Sequence, residues 1–135
     1  MKFSTDSNSL ENLIIDGFFV GWPNPPSNHA FKKILINSQH IVLAIDENRL
    51  VGFINAISDK TLSAYIPLLE VLPDYKGKGI GAELVSRMKE ELKAYYMVDI
   101  SCDNEVVPFY EKQGFRKNNS MYLRHYENQN ASSLS

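Results

Sequence analysis

The chain has 135 residues, 44% hydrophobic and 22% charged, with a formal net charge of −2 and a sequence pI near 5.9. That length and composition suit one domain with a packed core, and the charge balance excludes a general attraction to nucleic acid or to an anionic membrane. A single cysteine, Cys102, excludes an intramolecular disulfide, the polar start Met1 to Asn8 resembles no signal peptide, and no apolar run reaches the ~18 residues of a membrane span, so the cytoplasm is the expected location.

In chain order, a short edge strand is expected around Lys2 to Thr5. Leu10 to Val20 then reads as a helix, with Leu10, Leu13, Ile14 and Phe18 on one side and Ser9 as its N-cap. Gly21 to Ser27 carries three prolines and the only tryptophan, Trp22, and makes a stiff loop. Ser27 or Asn28 can cap a second helix, His29 to Asn37, whose apolar face is Ala30, Phe31, Ile34 and Leu35. Ile41 to Ile45 and Leu50 to Ile57 are expected as antiparallel strands joined at Asp46 to Arg49. Ser58 to Lys60 turns the chain into a long strand, Thr61 to Leu72. Pro67 inside it cannot donate a ladder hydrogen bond, so the sheet must be irregular there.

Next comes the stretch around which the chain is organised, Ile66 to Leu92. An apolar strand ends at Pro73 and Asp74, and Lys76, Gly77, Lys78, Gly79, Ile80 and Gly81 follow. Ile80, Leu84, Met88 and Leu92, with Val85 beside them, line one face of a helix that ends near Ala94. Met97 to Cys102 is a further strand, which makes a parallel right-handed crossover. Glu105 to Gln113 is a short helix stopped by Gly114, with Phe115 on the core. Met121 to Tyr126 is expected as a last strand. The domain is expected to span residues 1 to 126, as a mixed α/β sheet, with a disordered polar tail from Glu127 to Ser135.

The glycine loop points to an anion. Three glycines leave backbone N–H groups bare, and the following helix adds its unpaired first-turn donors and the positive end of its dipole. Lys76 and Lys78 add charge. The plainer alternative is a glycine-rich turn with exposed lysines. A Walker loop is excluded, because no Gly-Lys pair is followed by Ser or Thr. Gly77, Gly79 and Ala82 fit G-x-G-x-x-[GA], and Asp99 lies roughly where a ribose ligand would be. That fingerprint, however, begins past the middle of the chain, and only one more helix follows it.

Lys76-Gly77-Lys78-Gly79-Ile80-Gly81, opening a helix after a strand, resembles the [QR]-x-x-G-x-[GA] signature of the GNAT superfamily of acetyl-CoA-dependent N-acetyltransferases, with Lys in the first place. Asp103 to Phe115 is similar to the family's N-x-x-A-x-x-F-Y-x-x-x-G-F segment, with Asp103 at the Asn position and Asn104 one residue later. The resemblance covers Leu10 to Tyr126. It implies a GNAT-like fold whose strands splay around a CoA cleft. Acetyl-CoA would lie there, its pantetheine against the backbone of Leu69, Val71 and Leu72 and its pyrophosphate on Lys76 to Gly81. Asp103 or Asn104, Phe109 and Tyr110 would flank it. The N–H near Val71 would donate to the thioester carbonyl, and Tyr110 would protonate the leaving thiolate. The family's habit of dimerising through its last strands makes a homodimer an expected partner.

The base has two candidates. Glu70 is an acid in an apolar strand, readable as a base of raised pKa or as a half-exposed, paired carboxylate. Tyr65 could act through an ordered water. His29, His40 and His125 stand alone, no ligand spacing suggests a metal, and Cys102 reads as a small core residue. Phe18, Phe19, Trp22 and Tyr65 could wall the amine site or merely fill core. GWP, LVGF, ISD and the later motifs resemble the plant and cyanobacterial arylalkylamine N-acetyltransferases, with Ile66-Pro67 where those have Ile-Trp. The expected acceptor is a primary amine of a small molecule or peptide. The competing readings are a non-catalytic acetyl-CoA-binding module and a dinucleotide-binding α/β protein.

Overall fold

A computed structural model describes residues 1–134. Five strands lie side by side in chain order: β1 (Lys2–Ser4), β2 (His40–Asp46), β3 (Arg49–Ser58), β4 (Ser63–Val71) and β5 (Met97–Ile100). β1 to β4 are antiparallel neighbours, and β5 joins β4 in parallel. Three helices complete the order: α1 (Asn28–Asn37) before β2, α2 (Ile80–Glu91) between β4 and β5, and α3 (Val107–Lys112) after β5. The expected mixed α/β sheet with its parallel crossover is present.

Each face of the sheet has its own core. On one, Phe31 and Leu35 of α1 pack with Leu10, Ile15, Phe19, Ile41, Leu43, Ile45, Leu50 and Phe53. On the other, Ile80, Leu84, Val85, Met88 and Leu92 cover Val42, Ala44, Val51, Ile54, Ala64 and Ile66. Strand alternation sends neighbouring residues to opposite faces, so the central strands are apolar on both sides. The apolar stripe of α2 is the one its sequence spacing predicts. Ser27 caps α1, its hydroxyl accepting the Ala30 N–H at 3.1 Å.

Pro67 produces the expected irregularity. The β3–β4 register shifts between Asn55 and Ile57. Asn55, buried at 2% exposure, fills the gap: its amide oxygen accepts the Leu68 N–H at 3.1 Å and its nitrogen donates to the Ser38 hydroxyl at 3.1 Å. The shift also exchanges faces along β4. Ala64 and Ile66 pack under α2 before it, and Leu69 and Val71 do so after it.

Three expectations are corrected. Leu10 to Val20 is not a helix. Only a short 3₁₀ stretch forms, Ser7–Asn12, and its cap is Asp6 rather than Ser9. The rest is drawn to the β2–β3 turn, where Ile14 donates to Asn48 O at 2.8 Å and accepts from Leu50 N at 3.0 Å. Phe18 and Phe19 both turn onto Phe31, which adjacent helical positions cannot do. Among the described residues, Met121 to Tyr126 joins no sheet, although β5 is an edge strand. The tail instead makes a 3₁₀ turn, Tyr126–Asn128, and contacts the proline loop: Asn24 N–H donates to Gln129 Oε1 at 2.8 Å and Lys33 Nζ to Leu134 O at 2.8 Å. Ser135 lies outside the described residues.

Candidate active site

The glycine loop is held from behind. Tyr75, in a short turn at Pro73–Tyr75, donates its phenol O–H to Asp46 Oδ2 at 2.7 Å and so ties the loop to the end of β2. Lys78 Nζ lies 5.2 Å from the centre of the Tyr75 ring, a cation–π distance. Gly77 and Gly79 sit at φ +77 and +82, the left-handed region that L side chains resist. Gly79 is the cap of α2, and its carbonyl accepts the first helical N–H, that of Glu83, at 3.1 Å. Among the described residues, nothing accepts from the N–H groups of Gly77, Lys78, Gly79, Ile80, Gly81 or Ala82. A continuous run of bare donors therefore stands at the positive end of a helix, with two exposed lysines beside it.

Beside this run the sheet opens. β4 and β5 pair only from Ser63 with Met97 to Ile66 with Ile100, and the next residue is Pro67, which has no N–H to continue the ladder. Leu68 N–H goes to Asn55 and Leu72 N–H to Val51 O at 2.9 Å, both toward β3. Alternation then turns the amides of Leu69 and Val71 to the edge that β5 has left. Leu72 is turned away from that edge. Its N–H is taken by Val51, its carbonyl by Tyr75 N at 2.9 Å, and its side chain is buried at 2% exposure.

Tyr110 of α3 packs edge-on to Phe109 and Phe115, with ring centres 5.0 and 5.9 Å away. Burial, with a smaller push from Cys102, raises its phenol from 10.0 to about 12. The group is therefore protonated throughout neutral pH. Phe109 reaches the loop: a Cβ on Gly81 would meet its Cζ at 3.8 Å and Val71 Cγ2 at 3.9 Å. Asp103 and Asn104 are exposed, with no side-chain cap bond from Asp103. Cys102 is exposed rather than a core residue. Met97, Asp99 and Ser101 alternate outward along the short β5, and the chain leaves the sheet after Ile100.

On the α1 face, Glu70 is a paired carboxylate and most of the aromatic group packs as core, the plainer of the two readings left open for each. The Glu70 carboxylate accepts Phe19 N–H at 2.8 Å and Val20 N–H at 3.2 Å. This holds Phe19 at φ +62, an uncommon backbone for a phenylalanine. The Phe19 ring is only 6% exposed, against Phe31 and Trp22 at 5.0 and 4.8 Å, so it fills core. Phe18 likewise packs on Phe31 and Phe53. Trp22 is the exposed ring of the group, at 37%. Tyr65 is half-buried between Ile57 and Asp99 in the ladder.

The family's sequence profile, an acetyltransferase (GNAT) domain, matches residues 22–126. The chain belongs to the GNAT acetyltransferase family. A solved structure from Deinococcus radiodurans R1, provisionally described as an acetyltransferase, is 44% identical and covers 95% of this chain and 90% of its own, with a TM-score of 0.85. The chain is also 33% identical to an uncharacterised N-acetyltransferase, ycf52, of Porphyra purpurea, and 33% identical to a ycf52-like one of Prochlorococcus marinus. Those alignments cover 73% and 82% of this chain but only 59% and 62% of the relatives, so the chain spans about three fifths of the curated relatives' length.

Within this GNAT fold, Tyr75, Asn55 and Pro67 shape the loop and the open edge from behind. Pro67 was the legible one. The Asp46 partner of Tyr75 is far off in sequence, and nothing local announces it. Among the described residues no group of His, Cys, Asp and Glu could hold a metal ion, and no helix is long and apolar enough to cross a membrane.

Proposed function

We propose that this GNAT chain is an acetyl-CoA-dependent N-acetyltransferase acting on a primary amine, within a ternary complex in the cytoplasm. The observation that carries the reading is the run of bare N–H groups from Gly77 to Ala82 beside the open edge of β4. The pyrophosphate would rest on those donors, with Lys76 and Lys78 supplying charge. Leu69 and Val71 would meet the pantetheine by added-strand hydrogen bonding. Bound there, the thioester supplies an activated acetyl group. The Val71 N–H faces the place where its carbonyl would gain charge, a preorganised dipole of the kind that stabilises such an oxyanion. Tyr110 holds the proton that the departing thiolate needs.

Glu70 acts here as the anchor of the Phe19–Trp22 segment, and Trp22 offers a ring to a flat or cationic amine. Amine deprotonation is assigned to Tyr65 through water, with Glu70 as the competing base. Calorimetry with acetyl-CoA, CoA, NAD and ATP tests the ligand class. Acetyl-CoA and CoA should bind and NAD should not; NAD binding without CoA binding would favour a dinucleotide protein. Thiol release over an amine panel then separates an enzyme from a module that only binds the thioester.

A further inference from the structure

Residues 73–81 carry the donor loop, and packing does little to hold them. A Cβ at Gly77 or Gly79 would meet nothing within 4 Å, so no neighbouring atom props the loop at those points. The trough of about 950 Å³ beyond β5, walled by Val98, Ile100, Cys102, Tyr110 and Phe115, includes no residue of the loop. Glycine visits many backbone conformations, so a loop built on Gly77 and Gly79 and tied only at its ends would sample many shapes.

One side chain opposes this. Among the described residues, the bond from the Tyr75 O–H to Asp46 Oδ2, at 2.7 Å, is the single side-chain hydrogen bond between residues 73–81 and the rest of the chain. Its acceptor is firmly placed. Asp46 ends β2 and pairs with Arg49 across the turn to β3, and both strands are buried along their middles. The hydrogen bond to Asp46, with desolvation, raises the Tyr75 phenol above its ordinary 10.0, so the donor keeps its proton at neutral pH. The same ring has Lys78 Nζ 5.2 Å from its centre. Among the described residues, neither Lys76 nor Lys78 meets a carboxylate in an ion pair. The ring therefore steadies the ammonium and leaves its charge unneutralised.

We propose that Tyr75 is a positioning residue for the diphosphate of the thioester. Its hydroxyl, through Asp46, holds the bare amides of Gly77 to Ala82 in their binding shape before the ligand arrives. Its ring keeps one ammonium on the loop, free for an anion. A loop already ordered loses less entropy on binding, and the gain falls only on ligands that reach it. Tyr75 and Asp46 thus set the preference for a thioester that carries a diphosphate over one that ends at the pantetheine. This rests on the acetyl-CoA reading above and adds the residues that tune it.

The test compares acetyl-CoA with S-acetyl-pantetheine, the same thioester without the diphosphate, on the full chain by calorimetry. The wild type should bind acetyl-CoA the more tightly. Tyr75→Phe keeps the ring and loses the tie, so its Kd for acetyl-CoA should rise about tenfold while that for S-acetyl-pantetheine stays put. Asp46→Ala should match it, and the double variant should be no worse than either. Asp46→Asn, whose amide oxygen still accepts the phenol proton, should keep most of the affinity. Wild-type affinity for acetyl-CoA in Tyr75→Phe, an equal loss on both thioesters, or additive losses in the double variant would overturn the proposal alone. A wild type that binds no acetyl-CoA, or binds both thioesters alike, would overturn the acetyl-CoA reading of the loop and this proposal with it.

Discussion

Burial holds the proton on Tyr110, and it also makes the phenol a source of pH dependence. Its pKa rises from 10.0 when unfolded to about 12 when folded, so between those values the folded chain binds the proton more tightly. Stability is intact below pH 10 and falls as pH rises toward 12. Allowing for the ring's partial exposure, the loss is on the order of 1–2 kcal/mol. Alkaline denaturation midpoints should therefore fall less in Tyr110→Phe than in the wild type. On the proposed function the same variant should lose about 10²-fold in kcat, the usual worth of a positioned acid. Wild-type turnover at every pH would remove Tyr110 from the chemistry. Glu70 makes a separate prediction. Glu70→Ala frees the Phe19 and Val20 amides, so the emission of the single tryptophan should shift to the red and the KM for amine should rise about tenfold. The acidic limb of the pH–rate profile should persist. A lost limb with unmoved Trp22 emission would return Glu70 to the role of base.

At the scale of elements, Pro67 and Gly79 shape the site through the backbone. A Cβ added at Gly79 would have nothing within 4 Å, so Gly79→Val meets no clash at that atom; its cost is the left-handed φ of +82, about 1–2 kcal/mol. We expect acetyl-CoA binding to vanish in calorimetry while circular dichroism keeps the fold. Unchanged affinity would contradict the loop's role. Asn55→Ala should cost about 1–3 kcal/mol in denaturant unfolding, because Leu68 N–H loses its buried acceptor. A change below a few tenths would mean that water replaces the amide. These elements were unequally legible in sequence. The period of four in α2, the Ser27 cap and the irregularity at Pro67 are local signals, and each appears where its chemistry places it. The Leu10 to Val20 segment carried a helical spacing too, but the Ile14 bridge and the two inward phenylalanines outweighed local preference. The loop motif was readable because it is contiguous. The Glu70 clamp joins residues 51 positions apart, and no spacing rule reaches that far.

Across the whole molecule, the sheet divides the work. Its α1 face anchors the Phe19–Trp22 segment, its α2 face carries the donor loop, and β4 connects them. Glu70 and Val71 are neighbours on that strand, so on the proposed function the amine side and the thioester side would be fixed to one element. The account's central claim concerns which atoms meet the cofactor, and amide NMR during acetyl-CoA titration tests it most directly. Resonances of Gly77 to Ala82 should shift first and furthest, with Leu69 and Val71 next and those of α1 almost still. No shift, or shifts gathered in the trough beyond β5 with the loop unmoved, would contradict it.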